Sequence, residues 1–249
     1  MLYLSLPPFW ASWLVAPWPS SARLPSPSSL FSRSRPVQPL RAPRPAELRM
    51  DVHHAPHDID RELDALHARL HTPGDTLYGI HRFRLLDDPD LVAHHREADG
   101  EEYIYIEDVR RQRLAGYFIF NRLIELNRVA DRHLRAPHTK IAEPYQRRGI
   151  ATATYRWALQ RGQCLLSGAR QSCGAHALWE RLSREHTCGY VSLQNKSVVY
   201  LGDAVSQQTL DELNTRRLML GRGWSIDRLA RAARMQISAD DACGTVALR

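Results

Sequence analysis

The stretch from His138 to Gln160 limits what this chain can fold into more than any other. A short β-forming segment, His138-Thr139-Lys140-Ile141-Ala142, leads through Glu143-Pro144-Tyr145-Gln146-Arg147-Arg148-Gly149 into an amphipathic helix expected over Ile150–Gln160. A strand that feeds a helix through so short a turn reads as the start of a β–α–β crossover. The first turn of a helix carries unpaired backbone N–H groups and a partial positive charge. Gly149 lets a ligand approach the backbone with no Cβ in the way, and Arg147 and Arg148 add charge. The turn is therefore a candidate cradle for phosphate.

The flanking sequence extends this unit. Gly162 stops the helix, and the apolar run Gln163-Cys164-Leu165-Leu166-Ser167 has strand length. A second helix is expected where Ala175, Leu178, Trp179 and Leu182 recur at i, i+3, i+4 and i+7. Two strand-like runs, Tyr190–Gln194 and Ser197–Leu201, then meet through Asn195-Lys196. Earlier in the chain, Asp58 is placed to cap a helix whose Ile59, Leu63, Leu66 and Leu70 share a face, with Pro73-Gly74 ending it. Leu77–Leu86 reads as a first strand. Tyr103–Glu107 and Leu114–Phe120 read as a hairpin around Asp108–Gln112.

Within this pattern, Gln146-Arg147-Arg148-Gly149-Ile150-Ala151 matches the (Gln/Arg)-x-x-Gly-x-(Gly/Ala) signature and resembles the GNAT superfamily of N-acetyltransferases. The likeness covers Tyr103–Leu201 as a pattern and Ile141–Trp157 as a sharp motif. It implies an α/β fold with a mixed, mostly antiparallel central sheet flanked by helices. It also implies that the strands near His138–Ala142 and Gln163–Ser167 diverge at one end to admit a pantetheine arm. Acetyl-CoA would be the acyl donor, contacted by Ile141, Gln146, Arg147, Arg148, Gly149, Ile150 and Ala151. The acceptor would be an amine of a small molecule or a protein.

Many GNAT enzymes protonate the leaving thiolate with a tyrosine in an Asn-x-x-Ala-x-x-x-Tyr pattern. The matching positions here are Ser172, Ala175 and Trp179, so an indole stands where the acid is expected. A thiolate with a pKa near 8.5 leaves without obligatory help, so the departure weakens the acid role more than the activity. Glu143 is the candidate base, against the plainer reading of a surface carboxylate that neutralises Arg147 or Arg148. Tyr155, Trp157 and Trp179 read as packing residues.

Net charge is +7, but residues 1–49 hold six arginines against the single acid Glu47, leaving only +2 for the remainder. The basic balance is therefore no argument for nucleic acid as a partner. The same 49 residues hold ten of the fifteen prolines and nine serines, and read as a disordered leader. A signal peptide, a transit peptide and upstream sequence before a start at Met50 all compete, and the last is favoured. No apolar run is long enough to span a membrane.

The expected organisation is thus a leader over 1–49, a GNAT-like domain over 50–204 and a C-terminal helical extension over 205–249. That extension reads as two helices, Ser206–Leu220 and Ser225–Gln236, the second capped by Ser225. A basic helix-turn-helix is the weaker alternative to a helical hairpin packed on the domain. Four scattered cysteines imply reduced thiols and a cytoplasmic protein. Cys173, His176, His186 and Cys188 fit no structural zinc spacing, so no metal is expected there, and His94-His95 read as solvated. The competing function is a non-catalytic GNAT-like binding or regulatory module that uses the basic C-terminal hairpin.

Overall fold

The computed structural model describes residues 56–238. The expected leader, Met50, His53-His54 and the last eleven residues lie outside them. The described chain is a mixed α/β fold built on one ten-stranded, mostly antiparallel sheet flanked by helices. In chain order the elements are α1 (Pro56–Leu70), β1 (His81–Phe83), β2 (Leu91–Ala98), β3 (Glu101–Asp108), β4 (Arg113–Asn121) and α2 (Arg128–Asp131). Then follow β5 (Leu134–Ile141), a 3-10 turn (Glu143–Tyr145), α3 (Ile150–Gln160), β6 (Cys164–Leu166), α4 (Cys173–Leu182), β7 (Cys188–Gln194) and β8 (Ser197–Gly202). The chain continues through α5 (Gln207–Asp211), β9 (Thr215–Met219), α6 (Ile226–Ala233) and β10 (Gln236–Ile237).

Strands β1 to β5 form an antiparallel meander in chain order. The sheet then continues β5-β6-β9-β7-β8-β10, with β5–β6 and β8–β10 parallel and the other pairs antiparallel. Alternation along the strands sorts side chains to two faces. Phe118 and Phe120 of β4 and Thr139 of β5 meet Tyr155 of α3. Tyr117 of β4 and Lys140 of β5 instead meet Glu62 of α1. Helices α1 and α3 thus cover opposite faces of the same strands. Between them lies the larger apolar core, with Leu63, Ile104, Phe118, Phe120, Ile150, Leu159 and Trp179 inside it. A second core joins α2, α6 and strands β5 to β9 through Leu134, Leu166, Val191, Leu218 and Leu229.

Several local expectations meet their physical cause here. Helix α3 runs over Ile150–Gln160, with Gly149 as its N-cap at φ +82° and Gly162 following at φ +87°. The β7–β8 hairpin turns on Asn195 and Lys196, both left-handed, which suits the twist of a two-residue connection. Ser225, the expected cap, holds α6 by accepting from Arg228 N, and Ser172, not read as a cap, does the same for α4 by accepting from Ala175 N.

Four expectations are corrected. Helix α1 begins at Pro56, so Asp58 sits in its first turn, paired with Arg61 at 2.5 Å, and does not cap it. Of Leu77–Leu86 only His81–Phe83 is strand, with Leu77 buried in the core. His94 and His95 are not solvated, because they point to opposite faces of β2, His94 toward the Glu107 group beside α1 and His95 toward Trp157 of α3. His94 is 5 % exposed and bonded to Glu107, and His95 packs its ring against Trp157.

The largest correction falls on Ser206–Leu220. It is helical only over Gln207–Asp211, and Thr215–Met219 is a strand inserted between β6 and β7. Its spacing of leucines suits a helix. The open hydrogen-bonding edges of β6 and β7 recruit it as a strand, and the long-range pairing overrides the local preference. Helices α5 and α6 are therefore separated by a strand and form neither the expected helical hairpin nor a helix-turn-helix.

Candidate functional site

The turn expected to cradle phosphate lies where β5 ends. Ala142 N donates to Ala115 O at 2.9 Å, which ties the exit of β5 to β4. Tyr145, 1 % exposed, anchors the 3-10 turn by donating its hydroxyl to Asp108 Oδ2 at 2.7 Å. Arg148 lies over the Tyr145 ring at 5.2 Å and donates to Asp88 Oδ2 at 2.8 Å. The side chain of Gln146 folds back onto Ile141 O at 3.2 Å. Arg147 stands exposed at φ +59° and Gly149 at φ +82°, two left-handed positions with Arg148 between them that turn the backbone sharply into α3.

Among the described residues no side chain caps the start of α3, and a Cβ built on Gly149 would meet nothing within 4 Å. The first turn of α3 therefore faces open space with its N–H groups and its positive end outward. Ile150 is buried and holds the helix to the core; Ala151 is half-buried beside it. Of the seven expected cofactor residues, the structure brings Gln146, Arg147, Gly149 and the start of α3 around this opening. Arg148 is committed to Asp88 and Tyr145, and Ile141 sits behind the turn as the backbone acceptor for Gln146.

Beside the cradle the sheet opens. Strands β5 and β6 pair only through Leu134↔Cys164 and Arg135↔Leu165, while β5 runs six residues further, to Ile141, held by β4 alone. Beyond Leu166 the chain turns to β9 instead, with Ser167 N donating to Arg217 O at 2.9 Å. The divergence expected between these two strands is present. Thr139 and Tyr155 lie along it, their hydroxyl oxygens 3.3 Å apart.

Glu143 is exposed on the turn, and it is Asp88 that neutralises Arg148. Trp179 is 3 % exposed and meets Tyr155 edge-on with ring centroids 6.4 Å apart, so both are packed. Burial pushes the Tyr155 phenol up to about 12. Trp157 packs between Phe83 and His95 with Arg161 over its ring.

On the other face of β5 lies a polar group that the sequence reading did not assign. Glu62 of α1 accepts from Lys140 Nζ at 2.5 Å and from the Tyr117 hydroxyl at 2.7 Å, and His138 Nε2 stands 3.4 Å from that hydroxyl. Burial works to raise the Glu62 carboxyl, and the bonds from Lys140 and Tyr117 outweigh it, leaving the group below the usual range. The sequence held a signal for it: His138 and Lys140 alternate on β5, which puts them on one face. The partner in α1 is 78 residues away from Lys140 and could not be read.

No known family and no curated protein matches the chain by sequence. Among solved structures it is similar to a chimera of spermidine N-acetyltransferase SpeG from Vibrio cholerae and hSSAT, exchanged at R149-K152. That likeness has 17 % identity over 50 % of this chain and 68 % of the other, at a TM-score of 0.28. A second chimera of the same pair, exchanged at K23-Q34, is similar at 16 % identity over 49 % and 66 % of the two chains, also at 0.28.

Proposed function

We propose that this chain is an acyl-CoA-dependent N-acyltransferase that moves an acetyl group from acetyl-CoA to an amine. One observation carries the reading: an uncapped helix start at a left-handed glycine opens directly beside a parallel strand pair that parts after two residue pairs. A pyrophosphate would be held by the first-turn N–H groups of α3 and by Arg147. A pantetheine arm is a long, amide-bearing chain, and the unpaired edge of β5 from residue 136 offers it backbone partners.

The thioester would then lie near Thr139, between α3 and the polar group on the α1 face. An amine attacks the carbonyl carbon, the C–S bond breaks, and the ammonium proton must be removed before attack. Glu143 is free to take it, directly or through water, while Glu62 is tied to Lys140 and Tyr117 and is the poorer base. Trp179 holds the position where a tyrosine acid would stand and fills it with packing. Thiolate departure then relies on the thiol's own moderate acidity.

The competing reading is a binding module that holds acyl-CoA without turnover, and it is favoured only by Trp179. Calorimetry of the full-length protein against acetyl-CoA and CoA, followed by thiol release with a panel of primary amines, separates the two. Acetyl-CoA binding with amine-dependent thiol release supports the enzyme. Binding without release for every amine supports the module, and no binding of either nucleotide removes both.

A further inference from the structure

The far end of the α1 face holds a constellation that acyl transfer does not use. His67 and His71 lie one turn apart on α1 and direct Nε2 at the same oxygen, Glu107 Oε1, at 3.2 and 2.7 Å. Glu107 stands near the end of β3 and is 3 % exposed. Its second oxygen accepts from His94 Nε2 at 2.7 Å, with Arg82 3.8 Å away. The His94 bond, acting against burial, holds the Glu107 carboxyl down at about 2. The two α1 imidazoles are tilted 54° to each other with centroids 4.6 Å apart, so they converge instead of stacking flat. They border an open pocket of about 450 Å³, lined also by Arg82, Val109 and Gln112.

A histidine–carboxylate network that merely compensates a buried glutamate is the plain account of this group. His94 already fills that role from inside the sheet. Two further imidazoles at i and i+4, brought to the remaining oxygen from the pocket side, are more than one buried carboxylate requires.

We propose that His67, His71 and Glu107 form a binding site for a divalent transition metal of the zinc class, with a coordination position open to the pocket. One donor atom from each of the three lies within 4.8 Å of the others. Tetrahedral zinc with nitrogen and oxygen ligands at about 2.0–2.2 Å holds neighbouring donors about 3.3 Å apart. The 3.2 Å edge from His67 already has that length. The 2.7 Å edge must lengthen slightly, and His71, with 53 % of its side chain exposed, is free to turn.

Two imidazoles and one carboxylate suit zinc and its neighbours, whereas calcium and magnesium prefer all-oxygen sets. Binding requires each ligating imidazole to carry its proton on Nδ1, so the N–H bonds now made to Glu107 are replaced by bonds to the ion. His94, donating to Oε2, fixes the carboxylate and is a positioning residue. The ion would join α1 to β3 by coordination.

The test uses full-length protein stripped with a chelator and titrated with zinc chloride by calorimetry, with melting followed in parallel. One equivalent should bind, and zinc should raise the melting temperature. His71→Ala, at a half-exposed position, should fold and lose at least about 100-fold in affinity, and zinc should no longer raise its melting temperature. His94→Gln should lose roughly 10- to 100-fold, as expected for an outer partner. Cys173→Ser and His176→Ala should bind as the parent does. Cobalt in place of zinc should give a tetrahedral spectrum without a thiolate charge-transfer band. Failure of the parent to bind one equivalent, undiminished binding by His71→Ala, or a thiolate band with cobalt would each overturn the proposal. None of these readouts depends on acyl transfer.

Discussion

Gly149 is the residue on which the proposed cradle depends. At φ +82° a branched side chain costs about 1–2 kcal/mol of backbone strain, although a Cβ there meets no neighbour. Gly149→Val should therefore fold, while placing a branched carbon where the ligand must approach. Acetyl-CoA affinity measured by calorimetry should drop at least ~10-fold, equivalent to about 1.4 kcal/mol. Trp179 poses the opposite case. If its indole only packs, Trp179→Phe should leave turnover nearly unchanged, and Trp179→Ala should lower stability by about 3–5 kcal/mol in a denaturant melt. A selective loss of turnover in Trp179→Phe, with melting and cofactor binding intact, would make the indole a participant.

The difference between these residues and the polar groups on α1 explains what could be read. Gly149, Gly162 and Ser225 act within a few residues of themselves, so their roles stand in the local sequence. Glu62 and Glu107 act on partners 13 to 78 residues away, and nothing near them in the chain announces it. His67 and His71 offered the one local sign, two imidazoles at i, i+4 on an amphipathic helix.

Among the elements, β4 and β5 approach closely at Gly116, beside the irregularity in the β3–β4 register. A Cβ there would lie 2.6 Å from Lys140 O and 3.0 Å from Ile141 Cα, backbone atoms with little room to yield. Gly116→Ala should cost roughly 1–3 kcal/mol by overpacking. Because the strain falls one residue before the exit to the cradle, acetyl-CoA affinity should fall with it, which a thermal melt and calorimetry on the same sample would resolve.

Helix α3 and the strands beside it were legible because glycines bound them and apolar periodicity fills them. Strand β9 was not, since Thr215–Met219 alternates poorly, with both Arg216 and Arg217 half-buried between a buried threonine and the apolar Leu218-Met219. What makes it a strand is the lane between β6 and β7. Leu218→Asp should test that placement: a carboxylate at a fully buried position should destabilise the fold by several kcal/mol. An aspartate tolerated there would contradict the strand.

At the scale of the molecule, β9 and α6 join the second core to the crossover. Arg222 N donates to Leu159 O at 2.7 Å and Trp224 Nε1 to Gly162 O at 2.8 Å, so the C-terminal segment also closes the end of α3. A chain ended after Asp203 should lose its cooperative melt, because β6 and β7 would each expose an edge and the second core would lose Leu218, Leu220 and Leu229. A sharp transition near the parent temperature would show that the first 203 residues suffice.

The same inserted strand dictates an order of events during synthesis. A ribosome delivers β6, β7 and β8 well before β9, and for that interval two apolar strands flank an empty lane. The sheet cannot close vectorially behind the emerging chain. Its centre waits for residues 215–219, and the nascent protein must be kept from pairing with its neighbours until they arrive.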